Sequence, residues 1–187
     1  MTRAMSDLSW PRPTARLALR PATPEDMPAI YGYRSLPEIG QWLTRLPTDQ
    51  DAFTDHMVEH LETLLVIEHE GRLVGDLMLR VHDAWSQAEV AEQAKGVQAE
   101  IGWALAPQAQ GRGFATEAVS ELITIAFELG VRRIEANCFA DNEGSWRLME
   151  RVGMRREGRF LREALHRDGT WRDGIVYGLL ADEWAPR

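Results

Sequence analysis

The chain has 187 residues and a formal net charge of -8, with 44% hydrophobic and 27% charged side chains. That is the balance of a globular chain long enough to bury one substantial core, and its acidity argues against a nucleic-acid partner, which demands a basic face. No run of about 18 apolar residues is present to span a bilayer, the N-terminus lacks a basic-then-apolar signal, and Cys138 stands alone, which excludes an internal disulfide, so no membrane partner and a cytoplasmic protein are expected.

Residues 1–15, with Pro11 and Pro13 among small polar residues, read as a loose leader in which Met5 offers an alternative start; residues 16–187 read as a single domain. Arg16 to Arg20 alternates like a first strand. Thr23-Pro24-Glu25-Asp26 then has the form of an N-cap followed by proline at the first helical position, which predicts a helix to about Ser35. Short helices are expected over 37–43 and 50–61, the latter with Phe53, Met57 and Leu61 on one buried face. Two strands, 64–69 and 73–81, meet at Glu70-Gly71 as a hairpin. Residues 83–98 are polar and interrupt the sheet; their Asp83, Glu89 and Glu92 slightly favour a cation nearby.

A strand over 99–105 stops at Pro107, which cannot donate to a ladder. Gln108-Ala109-Gln110-Gly111-Arg112-Gly113-Phe114-Ala115-Thr116 follows as a glycine-punctuated turn that opens a long amphipathic helix closed by Gly130. Exposed backbone N–H groups at such a helix start, backed by the positive end of the macrodipole, are suited to a diphosphate. A strand at 133–139, a helix from about Asn142 to Val152, and strands 154–165 and 171–180 joined at Arg167-Asp168-Gly169 complete the chain.

Gln108-x-x-Gly111-x-Gly113, then Asn142-x-x-Ser145 and Gly153-Met154, resembles the GNAT superfamily of N-acetyltransferases from about Arg16 to Trp184. Glu100-Ile101-Gly102-Trp103 and Gly169-x-Trp171-x-Asp173 are most similar to its branch of Rim-type ribosomal-protein N-terminal acetyltransferases. The turn has neither a Gly-Lys-Ser/Thr ending nor the third glycine or alanine of a dinucleotide fingerprint. The resemblance implies a mixed α/β fold, a mostly antiparallel twisted sheet splayed in the middle and flanked by helices. It further implies acetyl-CoA as co-substrate, held by Gln110, Gly111, Arg112, Gly113, Phe114, Ala115 and Thr116, by the backbone of Trp103, Ala104 and Leu105, and by Asn142 and Ser145. Relatives in this branch often form dimers, so a homodimer through a strand edge or an exchanged hairpin is one expectation.

The chemistry expected is direct attack of a neutral primary amine on the thioester in a ternary complex, since no activated nucleophile is apparent. The acceptor is either a protein N-terminal α-amine or a small cationic amine. Glu100, on the strand before the turn, is the candidate general base, and Ser145, whose hydroxyl both donates and accepts, the candidate for relieving the departing thiolate. The position seven after Asn142 is Met149, where the commoner family pattern has an acid tyrosine. Asn142 and Ser145 are also ordinary helix caps. His56-Met57-Val58-Glu59-His60 matches H-x-x-E-H with both imidazoles on one helix face, but a zinc site also needs a third ligand and a placed water; with no further ligand recognisable, no metal is expected in the reaction. The rival from another class is a non-catalytic acyl-CoA-binding sensor or scaffold.

Overall fold

The computed structural model describes residues 3–185, and hydrogen bonding orders eight strands as β1-β2-β3-β4-β5-β6-β8-β7 in an open sheet flanked by helices. The strands are β1 (Arg12–Pro13), β2 (Ala18–Pro21), β3 (Leu64–His69), β4 (Arg72–His82), β5 (Gln98–Leu105), β6 (Arg133–Phe139), β7 (Arg155–Leu165) and β8 (Trp171–Leu180); the helices are α1 (Met27–Arg34), α2 (Pro37–Gly40), α3 (Gln50–Val58), α4 (Phe114–Glu128) and α5 (Glu143–Arg151). The recorded ladders are antiparallel except that of β5 with β6, which is parallel and covers only Gln98–Glu100 against Arg133–Glu135 although both strands run on.

The chain divides into two compact units. One takes Ser9–Met78 and Trp103–Val119. Its β2, β3 and the start of β4 form an antiparallel meander, and a core of Met27, Ile30, Tyr33, Phe53 and Val66 includes Ala104 and Ala106. Pro24 starts a 3-10 turn that runs into α1, with the Asp26 carboxylate accepting the Thr23 N–H at 2.8 Å, so the predicted N-terminus is built as a 3-10 entry. Helix α3 ends at Val58, short of the expected Leu61, because His60 has left helical geometry (φ -124°) and Leu61–Thr63 closes as a 3-10 turn; Met57 and Leu61 still pack on the core.

The other unit takes residues up to Leu8, Leu79–Gly102 and Ser120 onward. In it β6, β8 and β7 form the antiparallel end of the sheet. Residues 83–97 make a surface excursion with a 3-10 turn at Ala88–Ala94.

The segment read as a loose leader carries regular structure among its described residues: a 3-10 turn at Met5–Asp7 and the short β1, paired with β2 at Arg12↔Leu19 and Pro13↔Ala18. Residues 1, 2, 186 and 187, assigned in the sequence to the leader and to the domain's end, lie outside the described residues.

Candidate functional site

Between β5 and α4 the chain makes a 3-10 turn at Pro107–Ala109, fixed by the Ala109 N–H to the Ala106 carbonyl at 2.9 Å and by the Gln110 side-chain amide to the Leu105 carbonyl at 3.2 Å. Gly111 and Gly113 then adopt φ of +70° and +78°, the left-handed region that other residues enter at a cost. This double reversal leaves the backbone N–H groups of Gly111, Arg112, Gly113, Phe114, Ala115 and Thr116 without a backbone acceptor among the described residues, at the positive end of a 15-residue helix.

Three side chains that the sequence pattern does not single out frame this turn. Glu117, in the first turn of α4, accepts from the Thr14 hydroxyl at 2.5 Å, the Arg16 N–H at 2.7 Å and the Arg16 Nε at 2.8 Å. Burial works to raise the Glu117 pKa, but these hydrogen bonds outweigh it and hold the carboxyl below its ordinary value. Arg16 also donates to the Arg112 carbonyl at 2.9 Å and lies over the Phe114 ring. From the turn itself Arg112 places its guanidinium 4.4 Å from the Phe114 centroid, with Nη2 3.5 Å from His69 Nε2. It has no carboxylate partner among the described residues, unlike Arg16, so the turn retains one uncommitted cation.

On β5, side-chain burial alternates up to Ile101 and slips at Gly102 and Trp103, both half-buried. Trp103 is therefore not plain core. The Ala106 N–H donates to the Val74 carbonyl at 3.0 Å, and a Cβ on Gly75 would stand 2.7 Å from the Ala104 carbonyl oxygen. Only glycine lets β4 approach β5 this closely, and strand alternation then turns the Leu105 N–H away from β4.

Glu100 is opposite Glu135 in the parallel register and is ion-paired with Arg80. Gln98 donates to Glu135 at 2.9 Å, and His82 Nε2 is 3.7 Å from the same carboxylate. The Arg80 side chain is 60% exposed, so it is free to swing away from Glu100.

In the same unit, Asn142 caps α5, its Oδ1 accepting the Ser145 N–H at 3.3 Å. Its side-chain nitrogen keeps its donor capacity. The Ser145 hydroxyl hydrogen-bonds the Cys138 thiol, whose pKa is pushed up to about 11, chiefly by burial. Cys138 is therefore a packed thiol rather than a nucleophile. Met149 is fully buried, and the Tyr177 hydroxyl accepts from Arg156 at 3.0 Å and donates to Glu150 at 2.8 Å, which ties β8 to α5.

Just ahead of Asn142, Ala140, Asp141, Arg159, Arg172 and Asp173 line an open cleft of about 330 Å³. Its charges are matched, Arg159 to Asp173 at 2.6 Å and Arg172 to Asp141 at 2.6 Å, so it is no trap for a cation. Two of the three acids singled out in the 83–98 segment are likewise engaged: Asp83 accepts the Gly96 N–H at 2.9 Å and Glu92 pairs with Lys95 at 2.6 Å.

Residues 16–155 match the model of the acetyltransferase (GNAT) domain. An uncharacterized N-acetyltransferase of Bacillus subtilis, YnaD, is 28% identical over 177 residues, covering 91% of this chain and 97% of its own. The [Ribosomal protein uS5]-alanine N-acetyltransferase of Escherichia coli is 31% identical over 87 residues, 46% of this chain and 44% of its own. Among solved structures, a GNAT-family acetyltransferase from Bacillus anthracis is similar with a TM-score of 0.77 and 25% identity, covering 91% of this chain and 98% of that one.

Proposed function

The chain belongs to the GNAT acetyltransferase family and is an acetyl-CoA-dependent N-acetyltransferase; from that premise we propose that its acceptor is the α-amine of a polypeptide N-terminus, acetylated by direct attack in a ternary complex. The observation that carries the cofactor half of this reading is the run of free backbone N–H groups from Gly111 to Thr116, with Arg112 beside them lacking a carboxylate. Their chemistry fits the diphosphate of acetyl-CoA, because donors fixed in direction bind phosphate oxygens without reorganising. When bound, the coenzyme supplies the activated acetyl group.

The chain's own residues would do the rest. The N–H of Leu105, turned away from β4, is suited to polarise the acyl oxygen, with Trp103 and Ala104 setting the strand's position. Asn142 would give its free side-chain N–H to the pantetheine arm. Ser145 would offer its hydroxyl to the departing sulfur, with Cys138 as the neighbour that orients it. Glu100 would take the amine proton, directly or through water.

The choice of acceptor rests on the cost of presenting the amine neutral. An alkylamine of pKa near 10.4 costs about 4.6 kcal/mol to present neutral at pH 7, an α-amine near 8 only about 1.4. The lower cost asks less of any base, and the named activity of the uS5-alanine relative is in keeping with an α-amine acceptor. The test is release of coenzyme A with three acceptors: a peptide with a free N-terminus, the same peptide blocked at its N-terminus with a free lysine, and a polyamine. Turnover confined to the free N-terminus is expected; preference for the polyamine or the lysine would overturn the assignment.

A further inference from the structure

We propose that His56, Glu59 and His60, at the C-terminal end of α3, form a binding site for a first-row divalent metal ion such as zinc. Their ligand atoms all lie within 4.8 Å of one another. Donors around a tetrahedral zinc with bonds near 2.1 Å stand about 3.4 Å apart, so the three side chains need only small rotations, and Glu59 and His60 are exposed and free to make them. The two imidazole centroids are already 4.9 Å apart with the rings at 82°. Two rings sharing one tetrahedral ion have centroids about 5 Å apart.

The backbone favours a cation there as well. Glu59 is the C-cap of α3, so the three donors gather where the helix carries the negative end of its dipole. The three donors lie together where the chain leaves the helix, with His60 already out of helical geometry. Glu59 thus supplies the third ligand that H-x-x-E-H lacks when read as a two-histidine motif, and with Glu59 coordinated no carboxylate remains to act as a base. The site is structural, a clamp joining the last turn of α3 to the chain that follows. Two imidazoles and one carboxylate suit zinc, cobalt, nickel or copper rather than magnesium or calcium. The charge of Arg45, felt at His56, opposes a dication.

Calorimetric titration of the chelator-stripped full chain with zinc chloride tests the site. A single ion saturating below about 0.1 mM is expected, with His56→Ala and His60→Ala each weakening it at least about tenfold, and with no uptake of magnesium chloride. Cobalt chloride should give visible absorption bands with the wild-type chain that Glu59→Gln alters, a readout independent of the histidine variants. No saturation up to about 1 mM zinc, equal uptake of magnesium, or unchanged zinc affinity in the double histidine variant would overturn it.

Discussion

Glu100 and Cys138 are the two side chains through which proton and acyl transfer are most directly tested. If Glu100 receives the amine proton, Glu100→Gln lowers kcat by about 10²- to 10⁴-fold, the range of general base catalysis, while acetyl-CoA affinity is kept; equal losses in both would make the ion pair with Arg80 structural. Cys138 gives the complementary expectation. A thiol with its pKa pushed up to about 11 is almost wholly protonated at neutral pH, so its reaction with a disulfide reagent at pH 7 is expected on the order of 100-fold slower than that of a free cysteine. Fast labelling would contradict the raised pKa, and an acetylated Cys138 after incubation with acetyl-CoA alone would contradict transfer in a ternary complex.

The turn before α4 is the element to which the proposed function assigns cofactor binding. Gly111 has φ +70° and open space where a Cβ would stand, so a side chain there meets no crowding but must bear a strained backbone and would project over the N–H groups. Gly111→Val is therefore expected to weaken acetyl-CoA binding at least about tenfold, a loss of about 1.4 kcal/mol, with the thermal midpoint of the unliganded chain much less affected; unchanged affinity in calorimetry would refute the cradle. This element is legible in the amino-acid sequence, because glycine spacing and a following amphipathic helix are local signals. So is β6, whose bounds follow from an alternating polar-apolar run between Gly130 and the Asn142 cap. Less is legible where distant residues decide. Arg16 is one of many arginines in a chain whose only lysine is Lys95, and nothing local marks it as the partner of Glu117, 101 positions away. Arg80 likewise gives no sign in the sequence that it ties up Glu100. The strand at Arg12–Pro13 is too short, and too rich in proline, to register as a period.

For the molecule as a whole, the net charge of -8 hides how many carboxylates are paired with arginine at the surface, where each such pair contributes little. Asp76 is different. It is fully buried on β4 and held by Arg34 and the Tyr33 hydroxyl from α1, which lock helix to sheet within one unit. Arg34→Ala would strand that carboxylate away from water, and urea denaturation is expected to show a loss of about 3–5 kcal/mol; a loss under about 1 kcal/mol would mean the site hydrates readily. The strap from Thr14 to Arg16 has a consequence of another kind. Glu117 alone would set a negative charge beside the proposed diphosphate cradle, and the cation that neutralises it is Arg16. Trimming the protein past Arg16, or fusing a bulky tag close to it, would thus make the entrance repel coenzyme A while the catalytic residues stayed intact, and preparations differing only at that end would differ in their apparent KM for the acyl donor.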